Sequence, residues 1–109
     1  MNPHPGEVWL ADLGLAAKTR PVVIVSRFDP DPPRSLVIYV PLTTQHRQSL
    51  YEVELPKLKF LNHISVANVQ GIGSLPTVRL DRKIGQVPKD VLLKIKHAIS
   101  FAMNIEPEA

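Results

Sequence analysis

Two short clusters hold the residue types that could act on an oxyanion. Lys18-Thr19-Arg20-Pro21 opens a β-branched run, Val22 to Ser26, and Pro41-Leu42-Thr43-Thr44-Gln45-His46-Arg47 follows a second run, Ser35 to Val40. If the two runs form an antiparallel hairpin, the start of one lies beside the end of the other. Arg20 and Thr43, 23 positions apart in the chain, then become neighbours. A guanidinium fork with hydroxyl and amide donors around it suits an oxyanion or a phosphate. Thr, Gln and Arg are also ordinary loop residues, so composition alone leaves a phosphate receptor and a solvated loop both open.

Other chemistries find no pattern to carry them. Gly71-Ile72-Gly73 has Pro76 where a dinucleotide-binding loop needs its third glycine, and no Gly-Lys-Ser/Thr sequence marks a P-loop. None of His4, His46, His63 and His97 lies four residues from another, so the two-histidine helix of a zinc protease cannot form. Ser74 sits in Gly-Ile-Gly-Ser-Leu-Pro, which does not match a nucleophile elbow. With no cysteine there is no disulfide frame, thiolate metal site or thiol nucleophile.

The elements that must position the two clusters are short and punctuated by 11 prolines. Strands are expected at Glu7 to Leu13, at Val22 to Ser26 with Pro21 as its first residue, and at Ser35 to Val40, where Pro41 should stop it. Further strands are expected at Tyr51 to Leu55, Ser65 to Gln70 and Lys83 to Val87, with Gly71-Ile72-Gly73 as a turn and Arg27 to Arg34 as a loop. In Tyr51 to Leu55, Glu52 and Glu54 share a face, which reads as the solvated side of an antiparallel strand. A short helix is expected at Lys57 to Leu61. From Pro88, apolar residues recur at Val91, Leu92, Ile95, Ala98, Ile99, Ala102 and Ile105, the stripe of an amphipathic helix facing a core. The expected fold is α+β: a twisted, partly closed antiparallel sheet followed by a C-terminal amphipathic helix.

The chain has 109 residues, the size of a single domain, with 44% hydrophobic and 21% charged residues, a globular balance. Its apolar runs are far shorter than the roughly 20 residues of a membrane helix. The start has no basic segment leading into an apolar one, so no secretory signal is expected and a cytoplasmic location is. The net charge of +3 is unevenly spread. Residues 1–54 hold five bases and six acids, whereas residues 55–105 hold eight bases and two acids. A basic half permits an anionic partner such as nucleic acid, and equally an ordinary surface.

Three blocks in order make the sequence similar to a known family. Gly6-Glu7-Val8-Trp9-Leu10-Ala11-Asp12-Leu13, then Arg20-Pro21-Val22-Val23-Ile24-Val25-Ser26, then Val40-Pro41-Leu42-Thr43-Thr44-Gln45 resemble the MazF/PemK toxins of bacterial toxin–antitoxin pairs. The spacing continues through Ser65 to Leu75 and the terminal helix, so the resemblance spans nearly the whole chain as one domain, residues 1–109. It implies an SH3-like barrel, a homodimer, a cognate antitoxin partner and metal-independent cleavage of single-stranded RNA at short motifs, with no cofactor. By the resemblance Arg20 and Thr43 are catalytic. RNA contacts are expected from Lys18, Thr19, Thr44, Gln45, His46 and Gln70.

The implied reaction is attack of a ribose 2′-hydroxyl on the adjacent phosphate, leaving a 2′,3′-cyclic phosphate and a 5′-hydroxyl. An arginine stays protonated, so Arg20 suits phosphate binding and charge stabilisation rather than proton abstraction. An unactivated hydroxyl such as Thr43 is no strong base. An imidazole can carry protons near neutrality, which makes His46 the candidate for that task, with a plain surface histidine as the alternative. Phe28, in the turn-rich loop, could stack on a base or plug the loop from beneath.

Two features depart from the family pattern. The stretch Gly14 to Thr19 is short and lacks an acidic residue, and Gln70-Gly71 stands where many relatives carry an acid followed by glutamine. They keep open a relative that binds RNA or antitoxin without cutting. The same architecture also serves gyrase-directed toxins, so a non-catalytic binding module is the other reading.

Overall fold

The computed structural model describes residues 2–14 and 18–105. Seven strands form one antiparallel sheet: β1 (Glu7–Asp12), β2 (Thr19–Ile24), β3 (Leu36–Thr43), β4 (Glu52–Glu54), β5 (Val66–Asn68), β6 (Gly73–Pro76) and β7 (Leu80–Gln86). One helix, α1 (Lys89–Ala102), follows. The strand order is β4-β5-β3-β2-β1-β7, with β6 also on β3. β3 is the spine. One edge pairs with β2 from Tyr39 to Pro41, while its other edge takes β6 over Leu36 to Tyr39 and β5 over Leu42 and Thr43. A strand that serves two partners on one edge must coil, and the sheet curls without closing into a full barrel.

Period-two patterning divides the core between the two faces of the sheet. Val8, Val23, Val40 and Leu42 point to one side, where they pack with Val53, Leu55, Ala67 and Val69 beneath Val91, Ile95 and Ala98 of α1. Val22, Ile24, Val37 and Ala11 point to the other, where Leu75, Leu80, Trp9 and Tyr39 complete a second cluster inside the curl. Two bulges in the β1–β7 ladder, between Val8 and Trp9 and between Leu10 and Ala11, add the twist that this inner cluster requires.

The helix follows its expected stripe but ends at Ala102, and Ile105 is exposed. Asn104 takes a left-handed φ of 56°, and the N–H of Ile105 donates to the Ser100 carbonyl at 2.8 Å, an arrangement that closes helices.

Four expectations need correcting. Pro41 does not stop β3, which runs to Thr43. Its missing N–H is tolerated because the β2 ladder ends at the Val22–Pro41 pair and pairing passes to β5 at Leu42. Lys57 to Leu61 is not helical. It makes one turn, with Leu61 N–H donating to Leu58 O at 3.1 Å, and lays the Phe60 ring over Gly85. Five residues behind a proline are too few to propagate a helix, and core contacts take their apolar side chains instead.

The expected turn at residues 71–73 gives way at Gly73 to β6, whose pairing with β3 no local signal announced. The strand expected to reach Gln70 ends at Asn68, and Val69–Gly71 forms a 3-10 turn. Asn68 causes this ending, because its side-chain oxygen accepts the Gln70 N–H at 3.1 Å. No helix among the described residues is long and apolar enough to cross a membrane.

Candidate active site

The β2–β3 register carries the two principal candidates to one place. Val22 pairs with Pro41, the last pair of the β2–β3 ladder, and Arg20 and Thr43 each stand two residues beyond it along their strands. Arg20 is exposed and pairs with Ala11 on its other side; Thr43 is half-buried and pairs with Val66 of β5. The Arg20 side chain is exposed at this end of β2. The Thr43 oxygen already accepts the Gln45 N–H at 3.1 Å, so its proton remains available to donate.

On the far side of Thr43 opens a groove of about 490 Å³. Thr43, Gln45 and Gln70, three of the expected site residues, line it together. Gln70 reaches this place because the 3-10 turn is pressed onto β3: a Cβ on Gly71 would stand 2.6 Å from Pro41 Cγ, a separation only glycine permits. Asn68 and Arg47 add further polar groups to the wall, and Tyr51 adds a ring.

Lys18, Thr19, Arg20 and Thr44 are exposed near the same strand ends but do not line the groove. Thr19 pairs with Asp12 at the start of β2. The shortened stretch before them has its central residues, 15–17, outside the described part of the chain. His46 is not among the groove-lining residues, and its Nδ1 lies 3.3 Å from Glu54 Oε2. Its place as the proton carrier beside Thr43 is therefore not supported by this geometry. Phe28 stacks on His4 with ring centroids 4.1 Å apart, so one of its faces is already covered.

Glu52, on the solvated strand face it shares with Glu54, also forms part of the groove wall. It accepts the Ser49 hydroxyl at 2.7 Å and the N–H groups of Arg47 and Ser49, each at 3.0 Å. The Ser49 hydroxyl and the Arg47 N–H hold its carboxyl below the usual glutamate range. The alternation of Tyr51 to Leu55 disclosed its face; the loop that folds back onto it leaves no periodic signal. Among the described residues no three His, Cys, Asp or Glu side chains gather as a metal site would require.

A small, curled antiparallel sheet backed by one helix, with Arg20 and Thr43 toward one end of the β2–β3 hairpin and a polar groove at Thr43, defines a compact α+β domain. The PemK-like, MazF-like toxins of type II toxin–antitoxin systems match residues 4–103, and the chain belongs to that family. An endoribonuclease in complex with its cognate antitoxin, from a mycobacterial species, superposes with a TM-score of 0.84 at 26% identity, covering 97% of this chain and 99% of that one. The Mycobacterium tuberculosis toxin MazF-mt6 gives a TM-score of 0.81 at 28% identity over 93% and 99% of the two chains. The MazE–MazF complex of Deinococcus radiodurans, at 19% identity, shares the fold with a TM-score of 0.82 over 97% and 99%. No protein of curated function matches the chain in sequence.

Proposed function

We propose that this chain is a toxin-type endoribonuclease that cuts single-stranded RNA at short motifs without a metal ion, in the cytoplasm, as a homodimer restrained by a cognate antitoxin. The observation that carries the reading is that Arg20 and Thr43 each lie two residues beyond the last β2–β3 pair, with Thr43 on the wall of a groove lined by amide and hydroxyl groups. Membership of the toxin family and the likeness to a mycobacterial endoribonuclease support it.

In this reading the 2′-oxygen of one nucleotide forms a bond to the phosphorus while the bond to the 5′-oxygen of the next breaks. The 2′-proton leaves to a base, and the departing 5′-oxygen takes up a proton. The Arg20 guanidinium grips the non-bridging oxygens and stabilises the charge that grows on them. Thr43 donates its hydroxyl to the phosphate or orients the 2′-hydroxyl. Gln45 and Gln70, on the groove wall, meet base edges or backbone, as single-stranded recognition requires. An acidic antitoxin segment that orders on binding would find the basic half of the chain complementary.

The test is cleavage of a mixed-sequence RNA in excess EDTA by the wild type, Arg20→Ala and Thr43→Ala, with fragment ends mapped. Cutting at a recurring short motif, leaving cyclic phosphate and 5′-hydroxyl ends and lost in both variants, is the expected result. Equal cutting by all three proteins would reject the assigned residues. A folded protein that cuts nothing would favour the binding-module reading, and inhibition of gyrase would be assayed next.

A further inference from the structure

The eight residues between β3 and β4 supply much of the groove wall yet belong to no strand or helix. One side chain fixes them. Glu52, the first residue of β4, takes the Arg47 N–H on Oε2 at 3.0 Å, and on Oε1 the Ser49 N–H at 3.0 Å and the Ser49 hydroxyl at 2.7 Å. The Glu52 N–H returns the contact to the Ser49 carbonyl at 3.2 Å. Between the two anchored amides Gln48 stands at a φ of 54°, a left-handed conformation uncommon outside glycine. The anchor is itself held in register, because Glu52 pairs with Asn68, whose side chain shapes the Gln70 turn on the opposite wall.

A bare carboxylate in a groove meant for a polyanion would repel it. Here three donors engage the Glu52 oxygens, and its lowered proton affinity makes it a weak general base. Neither repulsion nor proton transfer explains its place, whereas holding the wall does.

We propose that Glu52 is a positioning residue: by tying down Arg47 and Ser49 it presents Gln45 and Arg47 beside Thr43, and so sets RNA affinity rather than the chemical step. The proposal rests on the ribonuclease reading above and is tested so that the two can fail separately.

The experiment uses the full chain and Glu52→Gln, which keeps the shape but replaces one accepting oxygen with a donor. Amide hydrogen exchange resolved by NMR reads the anchor without reference to activity. At Arg47 and Ser49 exchange should quicken about tenfold or more, with Val8, Val23 and Val40 unchanged. Steady-state cleavage of a single-stranded RNA oligonucleotide should show KM raised about tenfold with kcat within about twofold. A fall in kcat at unchanged KM would overturn the proposal in favour of a catalytic role. Faster exchange with neither constant altered would overturn it as well.

If Glu52→Gln loses protection throughout, Ser49→Ala decides, since it removes the hydroxyl that donates to Glu52 and accepts the Tyr51 N–H while leaving both backbone donors to Glu52 in place. A smaller rise in KM in that variant supports the anchor, and none overturns it. Should the wild type cut no RNA, the ribonuclease reading fails. Fluorescence anisotropy of the same oligonucleotide then replaces KM, with weaker binding by Glu52→Gln supporting the anchor and equal binding overturning it.

Discussion

Gly71 lies so close to Pro41 that a single added carbon would stand 2.6 Å from the proline Cγ. The contact joins the turn that carries Gln70 to the strand that ends in Thr43. Gly71→Ala must push either the turn or the strand aside, and a proline ring in a paired strand has little freedom to yield. The expected cost is about 1–3 kcal/mol, the range for overpacking a tight contact. Urea denaturation should show a lower midpoint at an unchanged slope, with weaker RNA binding as Gln70 moves out. An unaltered midpoint would show that the turn is looser than the contact implies.

Gly85 and Phe60 make a second pair of this kind. A Cβ on Gly85 would fall 2.2 Å from two carbons of the Phe60 ring. Gly85→Ala should therefore expel the ring and lower the melting temperature. Adding Phe60→Ala should cost less in that background than in the wild type. A double-mutant cycle measures the difference, and strictly additive losses would show that the two residues do not share the site.

Glu7 supplies a pH dependence. Burial raises the proton affinity of its carboxyl, but the His4 N–H, the Trp9 indole N–H and the Lys83 ammonium together outweigh it and hold the carboxyl below its ordinary value of 4.5. A depressed folded value gives stability that is present above the unfolded value and is lost as pH falls through the folded one. Glu7→Gln should thus be less stable than wild type at pH 7, by on the order of 1 kcal/mol. The gap should close in acid, below the normal glutamate range. Thermal melts from pH 7 to pH 3 check this, and a constant gap would contradict it.

Arg20→Lys separates charge from geometry. Lysine keeps the positive charge but loses the planar fork that can hold two phosphate oxygens. If Arg20 grips the reacting phosphate, kcat should fall about 10²-fold or more with fold stability unchanged. Retention of full activity would reduce its part to a point charge.

The division between what could and could not be read in the sequence follows the range of the interactions. β1 and the middle of β2 follow from short apolar or β-branched runs and α1 from its helical stripe, all of them local properties. The placing of Arg20 and Thr43 toward the same end of one hairpin was legible too, since a hairpin needs only two strands and a direction. β6 was not, because Gly73-Ser74-Leu75-Pro76 carries a weak strand signal and becomes a strand through pairing with Leu36 to Tyr39. Glu52 was assigned to its solvated face, but its bonds to Arg47 and Ser49 were not legible, since those partners lie in a segment without a period. His46 shows the opposite case: a suitable side chain near Thr43 in sequence, drawn instead to Glu54.

The Tyr51 ring on the groove wall meets the edge of Phe101 near the end of α1, with centroids 5.2 Å apart. α1 also packs against β4 and the Gln70 turn, two of the groove's walls. Helix α1 is thus the buttress of a groove whose walls are built from strands and turns far earlier in the chain. The firmness of those walls is therefore set at a distance, and a change in the final turns of α1 that alters no groove residue should still loosen the cleft.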